Sequence, residues 1–140
     1  MKAVILGCGR VGSMLSKLLT ENKWDVSVVD ANPDAFANLG DNFPGQQING
    51  RITDEEILKA GGIESADLVV VLTSDDIANL MAAQIARQIF KKEMVLVRVR
   101  DPIKAGAYQE LGLKTICPTD IELGMILKEL GIRTKKAKGG

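Results

Sequence analysis

The chain has 140 residues, 46% of them apolar and 26% charged, and its eighteen basic side chains balance eighteen acidic ones. That is one domain's length with enough apolar material for a full core, which excludes a disordered chain and a disulfide- or metal-stapled miniature. The even charge leaves no global footprint for nucleic acid or an anionic membrane, and the absence of histidine removes the commonest general acid/base.

Short apolar runs alternate with amphipathic stretches along the chain. AVIL (3–6) reads as a buried strand, and the helix after it carries Val11, Leu15, Leu18 and Leu19 on one face. DVSVVD (25–30) is a second strand, after which Asn32-Pro33 starts a helix with Asn as N-cap. GQQING (45–50) gives a third strand. Thr53-Asp-Glu-Glu56 matches a capping box, opening a helix that stops at Gly61-Gly62. ADLVVVLT (66–73) lacks alternation, as expected of a strand buried on both faces. Ser74-Asp75-Asp76 caps the next helix, whose apolar stripe is Ile77, Met81, Ile85 and Ile89. MVLVRVR (94–100) is a fifth strand, followed by a helix opening at Asp101-Pro102. LKTICP (113–118) is a sixth, with Thr119 to Glu122 capping a last helix.

Six strands alternating with helices predict a Rossmann-like, doubly wound parallel α/β sheet with helices on both faces, over residues 1–132. Residues 133–140 read as a basic flexible tail. In the last helix, Ile121, Leu123, Met125, Ile126, Leu127 and Leu130 cover more than one stripe. Such a helix is either deeply buried or packed on another subunit. Only Lys2 precedes the four-residue apolar run of the first strand, which is too short for a signal peptide or a membrane span, so direct membrane insertion is not expected.

GCGRVG (7–12) follows the first strand, opens a helix, and has Asp30 about twenty residues on at the end of the second strand. That context is the dinucleotide fingerprint. Gly7 serves a tight turn, Gly9 lets backbone approach a diphosphate, and Gly12 lets helix pack on strand. Asp30 is placed to accept from a ribose diol, which favours NAD over NADP. Ligands of such sheets lie beyond the strands' carboxyl ends, which adds Ala31, Asn32, Arg51, Ile52, Thr73 and Ser74 as candidates. Arg98 and Arg100 share a sheet face, and phosphate contact is the expectation for Arg98. Cys8, in the turn at a helix N-terminus, offers a third possibility, a redox-sensing thiol of lowered pKa. Its alternative is a small residue that simply fits. Both cysteines lack metal-ligand or disulfide spacing, and both are expected to be reduced.

Larger blocks carry a resemblance. GCGRVG with Arg10, VVDANP, INGRITDEEILKAGGIESADLVVVLTSDDIANLMAAQIAR, VRVRDP and LGLKTICPTDIELG together cover residues 2 to about 130. They resemble the nucleotide-binding lobe of the Trk/Ktr-type cytosolic subunits that regulate potassium conductance, the TrkA N-terminal domain. The resemblance implies a cytoplasmic regulator without catalysis, held at the inner face of the membrane by a potassium-transporting subunit. It implies NAD or NADH as ligand, or alternatively ATP, ADP or AMP, and pairs of lobes assembled into a ring. Carried over by position, Gly7, Cys8, Gly9, Arg10, Val11 and Gly12 would hold the diphosphate and Asp30 the adenosine ribose. Arg51 and Ile52 would flank adenine. Thr73 and Ser74 would lie by the second ribose or terminal phosphates, and Arg98 by the phosphate or nicotinamide end. Arg51 stands where members often carry Asp, a departure on the adenine side; Thr119 stands where Ktr-type members carry a glutamate, so no metal site is assigned. The family's smaller C-terminal lobe has no counterpart here, which implies a short member or an excised domain. The competing enzyme reading is the cofactor domain of an NAD-dependent oxidoreductase lacking its catalytic domain.

Overall fold

The apolar runs become six strands in one parallel sheet, in the computed structural model that describes residues 1–133. The first half comprises β1 (Lys2–Leu6), α1 (Arg10–Glu21), β2 (Asp25–Asp30) and β3 (Gln46–Asn49), then α2 (Glu55–Ala60). The second comprises β4 (Leu68–Val71), α3 (Asp76–Gln84), β5 (Val95–Arg98), α4 (Pro102–Glu110), β6 (Lys114–Ile116) and α5 (Pro118–Glu129). The spatial order β3-β2-β1-β4-β5-β6 reverses direction between β1 and β4, the topological switch point of a doubly wound fold. Leu6 pairs with both Val29 and Val71, so the carboxyl ends of β1, β2 and β4 lie level. The residues after them, Gly7, Asp30 and Leu72, therefore emerge side by side.

Strand alternation divides the core between the two sheet faces. Ala3, Ile5, Val26, Val28 and Val70 pack with Leu15 and Leu19 of α1 and with Phe36. Val4, Leu6, Val29, Val69, Val71 and Val97 pack with Leu58, Ala82, Ala105 and Tyr108 from α2, α3 and α4, and with Ala86 just past α3. Each fully buried Val, Leu or Ile contributes roughly 1.5–3 kcal/mol relative to exposure.

Several local expectations are corrected. The segment after Asn32 is a 3-10 helix (Pro33–Leu39), although Asn32 does cap it by accepting from the Asp34 amide. The cap of α2 is Asp54, not Thr53, whereas the cap of α3 does come from the expected Ser74-Asp75-Asp76 run, where Asp75 accepts from the Ile77 and Ala78 amides. α1 buries Gly12, Ser13 and Ser16, while Val11 and Leu18 of the expected core stripe are exposed. The Ser16 hydroxyl is satisfied within the helix by donating to the Gly12 carbonyl at 2.7 Å. α3 likewise buries Asn79, Ala82 and Ala83 and turns Ile77 and Met81 outward, as Ile89 is in the π-helical turn Ile85–Ile89 that extends it. Both helices lie against the sheet on their small residues, which permit the closer approach. Thr119 does not cap α5. Its hydroxyl donates to the Arg100 carbonyl at 3.0 Å, and Cys117 occupies the N-cap without a side-chain bond. α5 buries none of its residues, which rules out a deeply buried terminal helix within this chain. Beyond Arg133, which is exposed, the expected tail lies outside the described residues.

Candidate functional site

The level strand ends create a cleft of about 520 Å³ over the switch point. Gly7 and Gly9 line it from the turn after β1, Asp30 and Ala31 from the end of β2, and Arg51 and Ile52 from the loop after β3. Thr73 and Ser74 line it from the loop after β4, and Arg98 from the end of β5. Nine of the predicted positions thus meet in one cavity, although they are drawn from five strand ends.

The glycine turn is built from backbone demands. Gly7 has φ +114°, where L side chains are strained, and a Cβ there would lie 2.9 Å from the Leu72 carbonyl carbon. A Cβ on Gly12 would meet the Gly7 carbonyl oxygen at 1.9 Å, so α1 is seated directly on the turn. Gly9 differs: its φ of −77° is open to any residue, and a Cβ would meet nothing within 4 Å. Its missing side chain leaves room at the N-terminus of α1, beside amides that lack intrahelical partners. That is the space a diphosphate requires.

Asp30 faces this turn. Its Oδ2 accepts from the Cys8 amide at 2.7 Å and its Oδ1 from the Asn32 amide at 2.8 Å. Each oxygen retains acceptor capacity for a ribose hydroxyl. Asn49 adds a tie across the sheet edge, donating to the Asp30 and Ala31 carbonyls at 3.0 and 3.1 Å.

At the opposite wall the Arg98 Nη2 donates to the Leu72 carbonyl and, at 3.2 Å, to the Thr73 carbonyl. Its Nε is buried without a hydrogen-bond partner among the described residues. Burial foremost, and then the neighbouring Arg100, lower the Arg98 pKa, while Asp76 opposes them. An anion in the cleft would offset both causes by favouring the charged guanidinium. Arg100 also leans towards this loop, its Nη1 3.4 Å from the Ser74 carbonyl.

Five predicted residues do not line the cleft. Arg10 and Val11 are exposed on the first turn of α1, Gly12 is buried beneath it, and Asn32 is exposed and committed to its cap. Cys8 is fully buried behind the turn, where burial, followed by the charge of Asp30, pushes its thiol up to about 11. That overturns a thiol of lowered pKa: the helix N-terminus is outweighed by desolvation and the adjacent carboxylate. Cys8 and Cys117 are both free and buried.

The sequence reading missed Thr53, Leu72, Asp75 and Ala78, which also line the cavity. Thr53 and Asp75 lie further along the loops after β3 and β4 than the rule of residues just past each strand samples, Ala78 lies in α3, and Leu72 was counted inside a strand that in fact ends at Val71. Asp75 caps α3 and faces the cleft as well. The ionisable lining is Asp30, Arg51, Asp75 and Arg98, two carboxylates and two guanidinium groups. The single tyrosine, Tyr108, lies outside it, its hydroxyl 3.4 Å from the Asp76 carbonyl.

Comparison with known proteins bears on the fold and the family. The Trk system potassium uptake protein TrkA of Streptomyces coelicolor is 38% identical over 130 residues, 93% of this chain and 58% of that protein. The chain thus spans under two thirds of that relative's length. Among solved structures, the Kef C-terminal domain of Shewanella denitrificans in AMP-bound form matches with a TM-score of 0.77 at 22% identity, over 99% of this chain and 87% of that one. The NAD-bound GsuK channel matches with a TM-score of 0.73 at 20% identity, over 90% of this chain and 23% of that one. At these identities the two structures speak for the fold. The TrkA-N domain model matches residues 3–118, and the chain belongs to the TrkA-N domain family.

Proposed function

We propose that this domain binds NAD(H) or an adenine nucleotide in the cleft and passes the ligand's identity to a potassium-transporting membrane partner. The observation that carries the reading is Gly9, a position whose backbone and neighbours would accept a side chain but which keeps the helix N-terminus bare. Gly7, Gly9 and the α1 amides hold the diphosphate, Asp30 the adenosine ribose, and Arg51 and Ile52 flank the base. Thr73, Ser74 and Arg98 take the far half of the ligand. AMP and NAD in the structural neighbours, and the potassium-uptake role of the relative, support this assignment.

The cleft holds charge-binding and hydroxyl-binding groups, which suit a sensor. Regulation then requires only that the ligand bind two arrangements of the assembly unequally, and couplings of roughly 1–3 kcal/mol are typical. A second copy of the chain covers α5, whose Ile121, Leu123, Met125 and Ile126, with Leu130 at its C-cap, are exposed. No helix among the described residues is long and apolar enough to cross a membrane, so the partner supplies the membrane path. Calorimetric titration with NAD⁺, NADH, ATP, ADP and AMP tests the reading. Binding of at least one at sub-millimolar concentration is expected, and absence of binding by all of them would sink it.

A further inference from the structure

Asn79 is fully buried, yet it sits on the helix that follows the cleft loop. Its Nδ2 donates to the Thr73 carbonyl at 2.9 Å and to the Arg98 carbonyl at 3.0 Å. Two carbonyl oxygens on that side fix the amide's orientation, since a flipped amide would set oxygen against oxygen. Asn79 Oδ1 therefore faces the Thr73 hydroxyl, and as a pure acceptor it obliges that hydroxyl to donate. The Asp75 carbonyl, 3.4 Å away, is the more distant acceptor for the same proton. One Thr73 lone pair takes the Asp75 amide at 3.3 Å. What remains for the cleft is a lone pair without a proton.

We propose that Asn79 sets Thr73 as an acceptor-only contact, which selects a ligand hydroxyl at this wall and disfavours a phosphate oxygen. Asn79 acts as a positioning residue through Thr73 and does not touch ligand. The inference rests on the nucleotide reading and sharpens it. Thr73 follows β4, across β1 from Asp30, so it meets the half of a dinucleotide beyond the diphosphate. The hydroxyl donor available there is the second ribose. Phosphate charge is left to Arg98, whose Nε lacks a partner among the described residues.

ADP-ribose and ADP isolate this contact, because they share adenosine and a diphosphate and differ by the distal ribose. The parent protein is expected to prefer ADP-ribose. Thr73→Val lowers ADP-ribose affinity about fivefold, the worth of one neutral hydrogen bond, and leaves ADP nearly unchanged. Thr73→Ser, which keeps the hydroxyl and the Asn79 bond, preserves the parent's ratio. Asn79→Leu, with folding checked by thermal unfolding, frees the Thr73 proton and lowers the ADP-ribose to ADP ratio. A purely structural Asn79 would instead lower both affinities alike. Equal losses for the two ligands in Thr73→Val, or no loss for either, overturn the assignment while the nucleotide site stands. If neither ligand binds the parent, the nucleotide reading itself fails.

Discussion

A methyl group added at Gly12 collides with the Gly7 carbonyl oxygen, whereas one added at Gly9 enters open space. The two replacements should therefore separate stability from binding. Gly12→Ala forces α1 off the turn and should cost roughly 1–3 kcal/mol, read by denaturant unfolding. Gly9→Ala should change stability by less than about 1 kcal/mol, since its φ suits alanine, yet it should abolish tight nucleotide binding in calorimetry. Equal behaviour of the two variants would remove the functional reading of Gly9. Cys8 provides a test of the turn's electrostatics. Its folded pKa lies near 11, above its ordinary value of 9.0, so the folded state retains a proton that the unfolded chain releases between those values. Stability is then fully present below about pH 9 and falls as pH rises towards 11. Cys8→Ala should remove this component of the alkaline slope in unfolding curves. The glycine spacing and Asp30 were legible in the sequence because each obeys a backbone rule. Asn79 was not, because a polar amide in a helix reads equally well as a surface residue, and its three partners come together only in the fold.

Strands were easier to read than helix faces, and the reason is common to α1 and α3. Hydrophobic periodicity selects large apolar side chains, of which Leu15, Leu19 and Ile85 do pack on the core while Val11, Leu18, Ile77, Met81 and Ile89 are exposed. Close approach to the sheet selects the smallest, Gly12, Ser13 and Ser16 on one helix and Ala82 and Ala83 on the other. Capping boxes misled by one residue at α2 because Asp54 competes with Thr53 for the same amides. α5 is the element most in need of a partner. It has 12 residues and buries none of them, and a helix of that length is marginal alone in water. Sedimentation of the parent should show self-association. Met125→Glu with Leu130→Lys, two positions 66% and 65% exposed, should shift it to single copies. The same pair should alter the single-copy unfolding free energy by no more than about 0.5 kcal/mol per site. A parent that sediments as a monomer at high concentration would remove a second copy from α5.

For the whole molecule, alternation of strands and helices announced a doubly wound sheet, but the strand order that puts Gly7, Asp30 and Thr73 around one cleft is a property of the crossovers, not of any local motif. Ligand binding to this folded arrangement alone stabilises it by mass action. At a hundredfold excess over Kd the gain is about 2.7 kcal/mol, enough to raise Tm by roughly 10 °C in a chain this size. A Tm unmoved by a ligand that calorimetry shows to bind would mean that the unfolded or an alternative state binds it equally. β1 lies in the middle of the sheet with Ala3 to Leu6 fully buried and hydrogen-bonded strands on both sides. Its amides can exchange with deuterium only when the domain opens globally, so β1 is a fixed frame and cannot be the part that moves. Ligand should slow exchange at β1 only by the global gain in stability, and any change beyond that gain should fall in the loop after β4 and the first turn of α3, which line the cleft.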